Sequence, residues 1–355
     1  MKPRVIFVDD DPMLLASTRR QLMMKLPQCE LVFFPTATEA LTDIATTPPQ
    51  IVFSDVRMPG MDGPEFLSRV SLSNPETIRF AWTGQSEAQQ LERVFKVAHQ
   101  VLSKPIASEQ LVSIIANLVD YRTHIPNSSL MASLTGADHN RFDCARIKKV
   151  LAIIDNPNTS AEAVATEIDK SSIARARLLG IANSSFFSPV RTVADSKQAV
   201  MTIGFGIVRA IFLSSEYKCD NQPPPVQLTL RQCLNRGMKA ALAIQNITTT
   251  KGFSESDRNS AIVVAMFHCF GKVQFAIHGG NTYTELQSRA NENEELLMEF
   301  EQQHFGASRF QVAAYLLCLW GIDPVACRAI FQLGTPDADC TPLAKLFQEA
   351  DRKVS

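Results

Sequence analysis

A parallel α/β sheet followed by an all-α region is the fold class predicted by this 355-residue chain. Three observations predict it. Over residues 1–121, short apolar runs alternate with stretches of helical periodicity. Four of those runs end on an acidic, hydroxyl or amine side chain at a turn. Beyond about residue 130 the strand-type runs stop and helical stripes take over.

The elements follow in order. Val5-Ile6-Phe7-Val8 reads as a strand delivering Asp9 and Asp10, and Leu14, Leu15 and Leu22 lie near one face of the helix behind it. Ile51-Val52-Phe53-Ser54 delivers Asp55, followed at once by the Pro/Gly-rich loop Val56-Arg57-Met58-Pro59-Gly60-Met61-Asp62-Gly63. Ile78-Arg79-Phe80-Ala81-Trp82 delivers Thr83. Leu91, Val94, Phe95 and Ala98 keep the i, i+3, i+4, i+7 spacing of a fourth helix. Val101-Leu102-Ser103 delivers Lys104, with Pro105 behind it, and Leu111, Ile114, Ile115 and Leu118 repeat the helical spacing in a fifth. Strand then helix, five times over, implies right-handed crossovers with helices on both faces of the sheet. The strand-end side chains then meet outside the carboxyl edge, where such folds place their chemistry.

Periodicity fades over residues 122–130, which reads as a linker, and residues 131–345 read as the all-α domain. Ile147, Val150, Leu151 and Ile154 form one stripe. Thr159 and Glu162 have the spacing of a capping box for a helix bearing Val164, Ala165 and Ile168. Gln222-Pro223-Pro224-Pro225 interrupts the helices. Val312, Tyr315, Leu316 and Leu319 form a later stripe stopped by Gly321, and Asp323-Pro324 reads as the cap and first residue of the next helix.

Bulk composition removes several function classes. A net charge of −1 gives no global pull toward nucleic acid or anionic membrane, and no recognition helix stands out, so nucleic-acid binding is not expected. The eight cysteines include no C-x-x-C pair, which points to reduced thiols in a cytoplasmic protein. The N-terminus enters a strand without the apolar stretch of a signal peptide. The apolar runs near residues 261–267 and 312–319 are short for a bilayer, so no membrane association is expected.

The strand-end residues suit phosphoryl transfer. A carboxylate attacks a phosphoryl group to form an acyl phosphate if the gathered negative charge is neutralised. Asp9, Asp10 and Asp55 raise one another's proton affinity unless a cation sits among them, and Mg²⁺ takes such hard oxygen ligands. Lys104 supplies a point charge for one phosphate oxygen and Thr83 a hydroxyl for another. One aspartate at a strand end is ordinarily a cap or turn former. Four such signals in order are not.

These residues resemble the receiver domain of two-component response regulators, a flavodoxin-like fold, over the whole first half. The resemblance implies phosphate transfer to Asp55 from a sensor histidine kinase or phosphotransfer protein. It implies Mg²⁺ held by Asp10, Asp55 and the backbone carbonyl of Arg57, with Asp9 acting mostly through water. It gives Thr83 and Lys104 the switch and phosphate-contact roles, and a cis Lys104–Pro105 peptide. In one departure, Val101 stands where the family often has an aromatic switch residue.

The second half is similar to the HDOD domain, a helical relative of HD-type phosphodiesterases. The similarity rests on Asp169-Lys170-Ser171, on Arg177 through Phe187, on Ala199-Val200-Met201-Thr202-Ile203-Gly204, and on Leu317 through Pro324. The hydrolytic pattern wants His-Asp where this chain has His268-Cys269, and its later ligand positions fall on Arg309 and Leu333-Gly334, the earlier one near Asn235-Arg236. Arginine and leucine are not ligands for zinc, manganese or iron. His268 therefore reads as a buried structural residue, and Glu294-Glu295 as the start of a solvated amphipathic helix or of a docking face. The expectation is a regulator, not an enzyme, whose output domain binds a protein partner, in a chain that could also form a homodimer. The competing enzymatic reading is a cyclic-nucleotide phosphodiesterase with a divergent HD site.

Overall fold

The computed structural model describes residues 2–84, 93–94, 96–136, 150, 152–154, 156, 158–183, 193–215, 222–334 and 340–354. Two compact units account for the chain. One comprises Met1–Asn140, Glu301–Ala307 and Tyr315–Ile322; the other comprises Arg141–Phe300, Ser308–Ala314 and Asp323–Ser355.

The first unit carries a five-stranded parallel sheet, β1 (Arg4–Val8), β2 (Glu30–Phe34), β3 (Ile51–Asp55), β4 (Ile78–Thr83) and β5 (Gln100–Ser103), in the order β2-β1-β3-β4-β5. Its helices are α1 (Pro12–Met23), α2 (Ala37–Thr46), α3 (Gly63–Ser73), α4 (Ser108–Thr123) and α5 (Ser128–Thr135). The order reverses between β1 and β3, so a crevice opens at their carboxyl ends. β1 and β3 run in register through Val8↔Ser54, and Asp9 and Asp55 stand one residue beyond that pair.

Both sheet faces are apolar, as a parallel sheet covered on both sides requires. On one face Phe33, Phe7, Phe53 and Phe80 stack in register across four strands, with centroids 4.9, 4.9 and 4.6 Å apart. On the other, Ile6, Val8, Val52 and Ala81 pack with Phe66, Leu67 and Val70 of α3. β5 adds Gln100, whose amide donates to the carbonyls of Cys318 and Leu319 at 2.8 and 2.9 Å, so this unit takes in a stretch of chain far downstream.

The aperiodic stretch expected over residues 122–130 is shorter than its sequence suggests. α4 runs to Thr123, and Asn127 caps α5 by accepting from the Leu130 amide at 3.0 Å. Ile125 between them is buried. Of the fourth-helix stripe, Val94 and Ala98 are buried, while Leu91 and Phe95 lie outside the described residues.

In the second unit the described helices are α6 (Ala161–Ile168), α7 (Ser172–Ala182), α8 (Ser196–Ser215), α9 (Pro224–Lys251), α10 (Glu255–Phe267), α11 (Phe270–Gly279), α12 (Asn281–Ala290), α13 (Glu294–Phe305), α14 (Arg309–Leu319), α15 (Pro324–Gln332) and α16 (Pro342–Val354), the end of α13 and of α14 belonging to the first unit. Val150 and Ile154 are buried, while Ile147 and Leu151 lie outside the described residues. The capping box on Thr159 is corrected. Ser160, one residue later, is the cap, accepting from the Ala163 amide at 3.1 Å, and Glu162 turns outward to pair with Lys197. Pro224 opens α9, and Asp323 caps α15 through the Val325 and Ala326 amides. The apolar stretch Ser256–Gly279 is, contrary to the sequence expectation, long and apolar enough to cross a bilayer, but an 18-residue window of it is 89% buried, as in a core helix.

Candidate functional site

The crevice at the carboxyl ends of β1 and β3 brings together five of the six predicted residues, Asp9, Asp55, Arg57, Thr83 and Lys104. Asp9 and Asp55 are 1% and 5% exposed, and the Lys104 ammonium donates to both, to Asp9 at 2.7 Å. The Asp55 carboxylate also accepts from the Arg57 amide at 2.9 Å. Lys104 is itself fixed by its backbone amide, which donates to the Thr83 carbonyl at 2.8 Å. Thr83 is nearly buried, and its hydroxyl donates to the Gly84 carbonyl at 3.1 Å. Asp10 is exposed and contributes to the rim. The Lys104–Pro105 peptide is cis.

Local chemistry distinguishes these acids from their neighbours. Asp11 and Asp62 are ordinary helix caps, accepting from amides two and three residues on. Asp9 and Asp55 cap no helix; each accepts one amide two residues on, from Asp11 and Arg57, and each is also held by Lys104. Burial pushes the Asp55 pKa up; the Lys104 bond and charge oppose it, and the Asp9 charge adds to the rise. Lys104 is also raised, because its bonds to Asp55 and Asp9 outweigh the cost of burying an ammonium.

The loop after Asp55 is pinned by Gly63, whose amide donates to the Val56 carbonyl at 3.0 Å. A Cβ there would stand 2.1 Å from the Asp55 carbonyl oxygen, so only glycine lets α3 begin against the strand end. Val101, at the expected switch position, packs against the sheet core as an ordinary aliphatic.

The second unit brings the degenerate HD positions together. Arg236, His268, Cys269, Arg309 and Leu333 line one cavity of about 280 Å³. His268 is 3% exposed, its Nδ1 lies 2.7 Å from the Ala265 carbonyl, and its ring packs on Phe347. Glu294 accepts from Arg236 at 2.9 Å, from Lys272 at 2.7 Å, and from Arg309. Arg236 also makes a two-bond pair with Asp351. Burial opposes ionisation of Glu294, yet Lys272 and Arg309, with Arg236, hold its pKa down at about 2. Among the described residues of this unit, no group of three His, Cys, Asp or Glu side chains is placed to hold a metal ion.

Comparison with known proteins assigns both units. The profile of the response regulator receiver domain matches residues 5–116, and that of the HDOD domain matches residues 144–336, more than half of the chain. The chain belongs to the HDOD family.

This HDOD protein is a two-component response regulator by its receiver domain. It is 31% identical over 111 residues to the C4-dicarboxylate transport transcriptional regulatory protein DctD of Rhizobium meliloti, covering 31% of this chain and 24% of that protein. It is 31% identical over 162 residues to the positive alginate biosynthesis regulatory protein of Pseudomonas aeruginosa, covering 42% of this chain and 61% of that one. It thus spans less than two thirds of either relative. Among solved structures it is similar to an HDOD domain protein from Geobacter sulfurreducens, at 18% identity and a TM-score of 0.47 over 59% of this chain and 70% of that one.

The HDOD hallmarks serve the fold. Asp169 accepts from the Ser196 hydroxyl and so ties α6 to the start of α8. The Asn183 amide donates to the Leu179 and Val193 carbonyls and accepts from the Val193 amide, each at 2.8 Å. Residues 184–187 of the same motif lie outside the described residues. Sequence reasoning missed Glu294 as a hub. Read as a solvated helix face, it instead gathers cations 58, 22 and 15 residues away, a convergence no local pattern encodes.

Proposed function

We propose that this regulator is switched by phosphorylation of Asp55 and acts through an HDOD domain that binds a protein partner without turning over a substrate. The reading is supported by two separate observations, the buried Asp9–Lys104–Asp55 arrangement in one unit and, in the other, arginine side chains at the HD ligand positions. A sensor histidine kinase or phosphotransfer protein is the donor. An Asp55 carboxylate oxygen attacks phosphorus, the P–N bond of the donor's phosphohistidine breaks, and an acyl phosphate forms. Lys104, already on that carboxylate, pairs with a phosphate oxygen, and Thr83 turns its hydroxyl from Gly84 toward another.

Mg²⁺ fits the donor set. Asp9 and Asp55 are hard-oxygen carboxylates close enough to share one cation, as Lys104 shows, and Mg²⁺ needs only one or two carboxylates with waters and a phosphate oxygen. Asp9, Asp10, Asp55 and the Arg57 carbonyl are the residues that would hold it. When bound, it neutralises charge between the carboxylates and the incoming phosphoryl group. The added phosphate then biases the loops after Asp55 and Thr83.

The phosphodiesterase reading loses support from Arg236 and Arg309 at ligand positions, since a cation entering that cavity meets guanidinium groups. The test is labelling of the full chain and of Asp55→Asn with acetyl phosphate and Mg²⁺. Incorporation into the parent but not the variant is expected, together with a partner whose capture depends on phosphorylation. Equal labelling of both proteins refutes the assignment.

A further inference from the structure

Cys269 and Cys233 meet at the wall between two cavities, and neither has a task in phosphoryl transfer. Cys269 Sγ lies 2.8 Å from His268 Nε2, while His268 Nδ1 faces the Ala265 carbonyl at 2.7 Å. A base oriented by a third group beside a nucleophile is an activated arrangement. Cys269 lines the cavity of about 280 Å³ and also a neighbouring one of about 880 Å³, which Cys233 lines as well. Either has room for a reagent little larger than water.

The helix packing explains why the two sulfurs adjoin. α9 approaches the end of α10 so closely at Gly237 that a Cβ there would stand 2.8 Å from the Ala265 carbonyl oxygen. One turn earlier on α9 is Cys233; one turn later along the other strand of chain is Cys269. The Cys233 thiol reaches the Cys269 carbonyl at 3.3 Å. The adjacent Cys233 thiol, with the charges of His268 and Lys272, draws the Cys269 pKa down against the cost of burial, and the pKa of Cys233 is raised. A low-pKa thiolate beside a second thiol is the arrangement that reacts with peroxides and resolves to a disulfide.

We propose that Cys269 and Cys233 form a hydroperoxide-reactive dithiol in the HDOD domain, with Cys269 as attacking thiolate, His268 as its proton partner and Cys233 as resolving thiol. Cys269 Sγ attacks one peroxide oxygen, so an S–O bond forms and the O–O bond breaks. The departing hydroxide takes the proton from His268 Nε2 and leaves as water, giving a sulfenic acid. The Cys233 sulfur then attacks Cys269 Sγ; the S–S bond forms, the S–O bond breaks, and hydroxide leaves as a second water with the Cys233 proton. Two thiols lose two electrons and one peroxide gains them. A disulfide at that point would join α9 covalently to the segment between α10 and α11.

The test exposes reduced full-length protein to equimolar hydrogen peroxide, blocks remaining thiols with N-ethylmaleimide, and maps peptides by mass spectrometry without reduction. Cys233, Cys269 and Cys327 are all buried, but Cys327 lines neither cavity, and a Cys233–Cys269 cross-link is expected to form at least about tenfold faster than oxidation of Cys327. In Cys233→Ser, dimedone is expected to trap Cys269 as a sulfenic acid, and in His268→Gln the reaction slows about tenfold. If the variants fail to fold, the parent protein alone decides. Cross-links among other cysteines, or oxidation of Cys269 no faster than Cys327, overturns the proposal.

Discussion

Replacing Lys104 by Met removes the ammonium that bonds both Asp9 and Asp55, and leaves two carboxylates, 1% and 5% exposed, facing each other. Taking one partner from a buried ion pair costs about 3–5 kcal/mol. The Lys104 side chain is 24% exposed, which places the expected loss near the lower bound, about 3 kcal/mol. The pH dependence follows from Asp55, whose folded pKa already lies above its unfolded value, chiefly through burial. A carboxyl raised on folding contributes its stability below the unfolded pKa and loses it as pH rises through the folded pKa. Removing Lys104 lifts the folded pKa further and widens that window upward. The variant's deficit is therefore expected to be largest near about pH 8, to shrink toward about pH 5, and to shrink also on adding Mg²⁺. Urea unfolding checks this, followed by fluorescence of Trp82, whose ring lies 5.7 Å from the Lys104 ammonium. A deficit under about 0.5 kcal/mol, or one equal at both pH values, refutes the electrostatic account of the site.

Three further outcomes are expected. Gly63→Ala forces its Cβ toward the Asp55 carbonyl, 2.1 Å away in the parent geometry, and should cost about 1–3 kcal/mol and lower acetyl phosphate labelling at Asp55; unchanged labelling contradicts the pinning role. Phe53→Ala opens the centre of the four-ring stack and should cost about 3–5 kcal/mol in urea unfolding, whereas a loss under about 1 kcal/mol means the stack contributes little. Arg79→Met strips donors from the Val97, Thr77 and Thr135 carbonyls, now at 2.8, 2.9 and 3.1 Å, and should destabilise by about 2–3 kcal/mol with earlier amide exchange in α5; unchanged exchange there refutes the bracing role.

The receiver was legible because its chemistry sits at strand ends, where period and position agree. Apolar runs that stop at Asp9, Asp55, Thr83 and Lys104 state both the sheet and the edge at which it works. The same reasoning overreached at Thr159, where a hydroxyl three residues before a glutamate fits the rule while the adjacent Ser160 holds the capping geometry. It underestimated Ser256–Gly279 by counting only unbroken apolar runs. In the helical domain, laying the HD pattern on the chain did place Arg236, His268, Cys269, Arg309 and Leu333 on one cavity. Glu294 and Cys233 stayed hidden, because each meets its partners through a helix crossing and not through sequence spacing.

The two sites solve opposite electrostatic problems, and this orders the proposed signal. At the receiver edge two buried carboxylates share one lysine, so the pocket carries surplus negative charge that a divalent cation relieves. On the proposed reading, a phosphoryl group arriving with such a cation would complete the charge balance and so change the state of the pocket. In the HDOD cavity Arg236, Lys272 and Arg309 already surround Glu294, and Arg236 holds Asp351. Fixed guanidinium and ammonium groups there occupy the role a metal has in a hydrolase, and they cannot activate a water as a metal does. On the proposed reading charge enters at Asp55, while the acidic groups of the helical domain's cavity, Glu294 and Asp351, are already paired with its own cations.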